Sequence, residues 1–347
     1  MTRVAILTPT YRHARFIGAC IESVLAQTMR DWSMIVVDDG SDDGTADRAA
    51  AFGDPRVRVL RLPHRGPSGL GRAYAAALST TDSPFVAILE GDDMWPSRKL
   101  EEELPLFDDA DVVLAYGAAG LMDEQGLVYA RHRHAPRGAV GRNDPVGAIL
   151  PSLVRTNFIV AATVMLRREP LESIGGFVQP DGIPYVDHPT WLRLATVGQF
   201  ARSRRLLGFW RRHAGQVTTR SWIAPQPDRR AYLSAAAEDA HRVLTTTSLA
   251  SMQRAVSQDR EHQREEAAIA RARIALLDGS WREAAASWWQ LLRVGELRSR
   301  ALAILGLVAA GLRTDIEGVI RIAGRHSLPS RRHTASHAAR PRSGGTQ

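Results

Sequence analysis

Met34-Ile35-Val36-Val37-Asp38-Asp39-Gly40-Ser41 is the stretch that decides the fold. Four apolar residues run directly into two carboxylates and a Gly-Ser turn. A second stretch repeats the arrangement: Phe85-Val86-Ala87-Ile88-Leu89 leads into Glu90-Gly91-Asp92-Asp93. Short β-branched runs bounded by turn residues read as strands buried on both faces, as in a mostly parallel sheet. In open α/β sheets, ligands sit at the carboxyl ends of the strands. Two carboxylate clusters at that edge are costly to leave unpaired, which points to a metal ion and a polar ligand such as a nucleoside diphosphate.

Outward from these runs, strand and helix patterns alternate. Residues 4–7, 32–37, 57–60, 85–89 and 112–116 read as strands. Ile17, Ile21, Val24 and Leu25 mark one helix face, and residues 45–52, 69–79 and 97–107 supply further helices. Ser97 reads as the N-cap of the last, with Glu101, Glu102 and Glu103 in its early turns. Repeated βα units of this length predict an α/β, doubly wound, Rossmann-like layer. Residues 117–220 are mixed, with a helix over 189–196 and a strand over 206–209. From Arg229 the composition turns to long Ala-, Arg- and Glu-rich helical stretches. Residues 267–277 and 281–292, split at Asp278-Gly279, resemble a tetratricopeptide-type hairpin. One such unit cannot bury its own faces, so it is expected to pack on the preceding domain or on a partner.

The chain has 347 residues and a net charge of +8. Six of those charges are Arg321, Arg325, Arg331, Arg332, Arg340 and Arg342, in a stretch with no acid. The excess belongs to a tail rich in Ser, His, Pro and Gly that reads as disordered, so no nucleic-acid groove is required. Cys20 is the one cysteine and Lys99 the one lysine. A lone cysteine excludes a disulfide framework and fits a reducing compartment. The longest apolar run, residues 301–312, is too short to span a bilayer, and residues 4–7 are too short for a signal core. A cytoplasmic protein is expected, with two readings open for residues 301–312 and the arginine-only tail: together they hold the chain against the anionic inner face of a membrane, or the apolar stretch is the buried face of a helical hairpin and the tail is solvated.

Several ordered motifs then carry a resemblance. Thr8-Pro9-Thr10-Tyr11, Ser23-Val24-Leu25-Ala26-Gln27-Thr28 and Asp38-Asp39-Gly40-Ser41-Asp42-Asp43-Gly44-Thr45 resemble the start of a family 2 (GT-A fold) glycosyltransferase. Glu90-Gly91-Asp92-Asp93-Met94-Trp95-Pro96 with Lys99-Leu100-Glu101 is similar to that family's D-x-D-D segment. Gly175-Gly176-Phe177 and residues 185–192 resemble its later landmarks. The resemblance implies a Rossmann-like GT-A nucleotide-diphospho-sugar transferase domain over 1–222. A C-terminal α-helical region over 229–325 and a disordered basic tail over 326–347 would follow.

It also implies roles. Donor binding falls to Pro9, Tyr11, Asp39, Arg72, Glu90 and Gly91, with Asp39 accepting a hydrogen bond from the imide nitrogen of a uracil-type base. Asp92 is the metal candidate for Mn²⁺ or Mg²⁺, which would neutralise the departing diphosphate. His213, in Trp210-Arg211-Arg212-His213, is a further metal contact on a segment expected to close over that diphosphate. Asp187 is the candidate general base for inverting transfer. Glu90 stands where the family usually has Asp, and Val186 where it usually has Glu. Simple turn capping by Asp38 and Asp39, and helix capping by Asp187, are the competing structural readings. The implied activity is metal-dependent transfer of a sugar from a nucleotide-sugar donor, UDP-linked, to a hydroxyl of a cell-surface or lipid-linked glycan. The processive Q-x-x-R-W signature is absent, so one addition per encounter is expected. Two other readings stay open: a nucleotidyltransferase, and a non-catalytic descendant that binds sugars or partners.

Overall fold

The structure is a computed structural model that describes residues 2–132, 143–213, 215–216, 228–295 and 297–317. The expected basic tail over 326–347 lies outside the described residues. The chain divides into two compact units: residues up to 211 together with 228–260, and residues 212–216 together with 261–317.

The first unit is built on a nine-stranded sheet. Its strands are β1 (Val4–Thr10), β2 (Trp32–Asp38), β3 (Val57–Arg61), β4 (Phe85–Ile88), β5 (Val112–Met122), β6 (Val128–His132), β7 (Asn143–Asp144), β8 (Met165–Arg167) and β9 (Gln199–Arg211). The order is β3-β2-β1-β4-β8-β5-β9-β7, with β6 paired to β5. The expected mostly parallel sheet is in fact mixed. β1 to β4 are parallel, as are β5 and β9, but β8 runs antiparallel between β4 and β5. Three residues are too few to show a period, so β8 leaves no strand signal in the sequence.

Side chains alternate across the pleat, and both faces are covered. Leu7, Ile35, Val37, Val86 and Ile88 face one core, with Tyr74 of α3 (Leu70–Leu78) and Trp191 of α7 (Asp187–Leu194). Val4, Ile6, Met34, Val36 and Ala87 face the other, with Ile17 and Ile21 of α1 (Ile17–Leu25). Between these helices in the chain come α2 (Thr45–Ala50), α4 (Lys99–Glu103), α5 (Leu150–Arg155) and α6 (Arg168–Ser173). The helix expected over 97–107 is two pieces: α4, then a 3-10 turn over Leu104–Phe107. Pro105 has no N–H to continue the α ladder. Ser97 is not the N-cap. That position is Arg98, and the Ser97 carbonyl instead accepts from the Thr28 amide.

The composition change at Arg229 does not end the first unit's core. Leu233, Ala236 and Ala237 of α8 (Arg230–Asp239) join the core around Trp191, as do Met252 and Ala255 of α9 (Thr246–Leu277). In the second unit the end of α9 packs with α10 (Trp281–Val294) and α11 (Leu297–Gly311) around Trp288. Gly279, at φ +76°, makes the α9–α10 turn. A Cβ on Gly306 would fall 2.2 Å from the Trp288 indole, so only glycine admits this helix approach. α11 is the third helix that the isolated hairpin lacked.

Lys99 and Glu103 form a fully buried ion pair one helical turn apart, with the ammonium 4.5 Å from the Trp95 ring centre. Burial pushes the Glu103 carboxyl up to about 7 against the pull of Lys99. Removing one partner strands the other. Lys99→Met is expected to destabilise the protein by about 3 kcal/mol, and Lys99→Met with Glu103→Leu to recover most of that loss. Urea unfolding of both variants checks it.

Candidate functional site

Register places the site. Thr10 at the end of β1 lies level with Asp38 at the end of β2, and Leu7 level with Ile88 at the end of β4. Three strand ends therefore open on one edge. The turn after β4 is drawn against β1 by the Gly91 amide, which donates to the Pro9 carbonyl at 3.1 Å. A Cβ on Gly91 would fall 2.4 Å from Thr10 Oγ1, so glycine is required for this approach. Gly91 supports the turn through its backbone, and Pro9 supplies the carbonyl that holds it.

The two aspartates after β2 do different work. Asp38 is buried and accepts hydrogen bonds from the Ser41 amide and hydroxyl, which is the turn-capping role. Asp39 is half-buried. One of its oxygens meets His64 Nδ1 at 2.8 Å, and the other lies 3.8 Å from Arg72 Nη2. Tyr11 stacks on His64 with ring centres 3.9 Å apart and planes 12° apart. Arg72 also donates to the Pro63 carbonyl at 2.6 Å. Asp39, Tyr11 and Arg72, all expected at the donor site, therefore come together at one strand end. His64 completes the group without a sequence signal, since a lone histidine in a Pro/Gly loop reads as solvated.

After β4, Glu90, Asp92 and Asp93 each place a carboxylate oxygen within 4.8 Å of the others. Asp92 and Asp93 are buried. Burial first, then the charges of Asp92 and Asp187, push the Glu90 carboxyl up to about 8, with a hydrogen bond from Tyr74 pulling it back. Asp93 is pushed up by burial and by Asp92 and Glu90. His13 Nε2 lies 3.9 Å from Asp92 Oδ2.

Arg211, the last residue of β9, secures this turn. Its amide donates to Asp93 Oδ1 at 2.8 Å and its Nε to the Asp92 carbonyl at 2.7 Å. Its Nη1 donates to the carbonyls of Asp123 and Glu124, each at 3.1 Å. The expected closure of residues 210–213 over a diphosphate does not hold for Arg211, which is buried and turned inward. These hydrogen bonds are to groups far off in sequence, which no local motif reveals. His213 follows two residues later, at the start of the second unit.

Asp187 opens α7. Its Oδ1 accepts from the His188 amide at 2.8 Å and its Oδ2 from Asn157 Nδ2 at 2.6 Å. Burial raises the carboxyl, and these two donors pull it back. The helix N-cap is Val186, without a capping side chain. Val186 is a core residue. Gly175 and Gly176, at φ +89° and +84°, turn the chain so that Phe177 stacks on Tyr74 with ring centres 4.4 Å apart.

A buried polar chain braces the start of α7. His188 Nε2 faces the Leu153 carbonyl at 2.8 Å, so it carries the proton and donates. Nδ1 then accepts from the Tyr232 hydroxyl at 2.9 Å, and the Tyr232 oxygen accepts from Tyr185 at 3.3 Å.

Three carboxylates beside strand ends are the hard oxygen donors that suit Mg²⁺ or Mn²⁺, and their mutual repulsion is what a divalent cation would relieve. With this geometry in place, residues 5–175 match the family described as Glycosyl transferase family 2. Over these residues the chain is similar to members of this family. Among family relatives, TuaG of Bacillus subtilis, named as a glycosyltransferase of teichuronic acid biosynthesis, is 29% identical over 64% of this chain and 83% of TuaG. WfgD of Escherichia coli is named as a glucosyltransferase acting between UDP-Glc and GlcNAc-diphosphoundecaprenol. It is 31% identical over 36% of this chain and 49% of its own. The fold of this chain resembles S. aureus TarS 1-349 in complex with UDP-GlcNAc, with a TM-score of 0.55 and 15% identity, covering 90% of this chain and 88% of that 1-349 chain. It also resembles the Pyrobaculum calidifontis mannosyltransferase PcManGT in complex with GDP-Man and Mn²⁺, with a TM-score of 0.53 and 19% identity over 89% and 80% of the two chains. The GT-A fold with a helical C-terminal region is thereby established.

Burial, with the nearby Arg229 guanidinium second, lowers His188 to about 4 from its ordinary value near 6.5. The unfolded chain takes up this proton first, so His188 costs stability as pH falls from about 6.5 toward 4. The penalty is absent above that window, and its full size is about 3 kcal/mol. A His188→Gln variant escapes it. Compared by urea unfolding at about pH 7.5 and about pH 4.5, wild type should lose about 2–3 kcal/mol relative to that variant.

Proposed function

We propose that the chain is an inverting, metal-dependent glycosyltransferase that moves a sugar from a UDP-linked donor to a hydroxyl of a lipid-linked or cell-surface glycan. The observation that carries this reading is the meeting of Glu90, Asp92 and Asp93 at the strand edge that also presents Asp39. The name of WfgD, which specifies UDP-Glc and a diphosphoundecaprenol-linked sugar, supports the donor and the acceptor class.

Asp39 accepts the imide N–H of the base, beside the Tyr11 ring. Arg72 closes the far side of Asp39. Asp92 would hold Mn²⁺ or Mg²⁺, with His213 as a further contact and Glu90 reaching the ribose hydroxyls or the ion through water. A bound divalent ion supplies positive charge where the diphosphate departs. Asp187 takes the proton of the acceptor hydroxyl as its oxygen attacks C1 opposite the leaving group. Asn157 and the His188 amide aim that carboxylate. The acceptor's lipid tail places the enzyme at the inner face of a membrane.

Asp92→Ala should abolish metal-dependent UDP binding, read by thermal shift with and without Mn²⁺, while the unliganded melting temperature stays close to wild type. Wild-type affinity in this variant sinks the metal assignment. Asp187→Asn should keep donor affinity and lower transfer by about two to four orders of magnitude. Near-normal turnover would return Asp187 to a helix-start role.

A further inference from the structure

The second unit carries a surface that sugar transfer does not use. Ala301, Ile304, Leu305, Val308, Gly311 and Leu312 recur at helical spacing and are all exposed, while Ala303, Ala309 and Ala310 face the Trp288 core. Leu297 begins the same helix 84% exposed, and Leu312 just beyond its end is 72% exposed. A helix packed on one side against its own unit ordinarily turns polar residues outward. α11 turns leucine, isoleucine and valine outward instead.

Charge says what covers this face. From Glu296 to Glu317 the sequence has Arg298, Arg300 and Arg313 against Glu296, Asp315 and Glu317, of which Glu317 is already paired with Arg273. Beyond Glu317 it adds the six arginines from Arg321 to Arg342, with no acid. An apolar stripe followed in the sequence by six arginines without an acid fits a surface that is apolar within and anionic at its boundary. A second copy of α11 would give the arginine-rich sequence after it no anionic surface to meet, and an acidic protein partner would leave the apolar stripe unmatched.

We propose that the outward face of α11 docks on an anionic lipid bilayer, its leucines and valine entering the acyl boundary beside headgroups that attract the arginine-rich sequence after it. The surface stands apart from the transfer reaction, since it would bind vesicles with the sugar site empty. It also agrees with the lipid-linked acceptor proposed above.

The test is sedimentation of the full chain with vesicles of phosphatidylcholine alone and of phosphatidylcholine with phosphatidylglycerol. Wild type should bind the anionic vesicles, bind neutral ones weakly, and release as salt is raised. Leu305→Glu with Val308→Glu should weaken anionic-vesicle binding by about tenfold or more. UDP binding by this variant should match wild type, which shows that the first unit is intact and separates this proposal from the transferase reading. Equal binding by wild type and variant would assign any attachment to the arginine-rich sequence alone and overturn the proposal. Binding by neither would overturn it as well. So would a wild-type dimer in light scattering that the variant abolishes, because a second copy would then occupy the face.

Discussion

Like charge held together out of water is the constraint on which this structure turns. The parallel register of β1, β2 and β4 brings their carboxyl ends level, and the close approach at Gly91 then fixes Glu90, Asp92 and Asp93 in one small volume. Repulsion between carboxylates grows as the local dielectric falls, so burial raises the cost it would have at a surface. The fold meets part of that cost itself. Arg211 brings one guanidinium and one amide to the turn, and Tyr74 brings a hydroxyl to Glu90. The remaining negative charge sits where a sugar nucleotide would need a cation between two sets of anionic oxygens. A site of this kind is unfavourable in isolation and would become favourable with metal and diphosphate together, which under the proposed function would couple donor binding to metal binding.

The parts of this site legible in the sequence were those that end a regular element. Asp39 and Asp92 follow buried β-branched runs, and a run of that kind announces both the strand and the edge at which it stops. Asp187 was visible for the related reason that it precedes a helix. The parts not legible act through distant contacts. His64 reaches Asp39 from a Pro/Gly loop, Asn157 reaches Asp187 across thirty residues, and Arg211 joins β9 to two turns. Local pattern carries no information about such pairings. Arg211 shows the difference most plainly: its arginine-rich neighbourhood suggests an exposed anion-binding arm, and tertiary packing buries it as a strut.

The same limit explains the sheet and the helical region. β8 is three residues long and antiparallel, so no repeat of βα units predicts it, yet it joins the two parallel portions of the sheet. Composition shifts sharply at Arg229, but Leu233 and Met252 are core residues of the sheet unit. Composition reports helix propensity and solvent exposure averaged over a segment, whereas a domain core is decided by which few apolar positions meet.

That extension of the core bears on catalysis. Tyr232 on α8 donates to His188, and His188 is the residue after Asp187. The imidazole is fixed in one tautomer because its far nitrogen must donate to the Leu153 carbonyl, and burial keeps it neutral. A neutral, doubly bonded histidine is a rigid brace that adds no charge beside the candidate base. Had that position carried a permanent cation, Asp187 would be a weaker base, since an adjacent positive charge favours the ionised carboxylate. Helices that look like an appendage in sequence thus reach the candidate base through one hydroxyl, holding the backbone of α7 while leaving the basicity of Asp187 to its own burial and to its two hydrogen-bond donors.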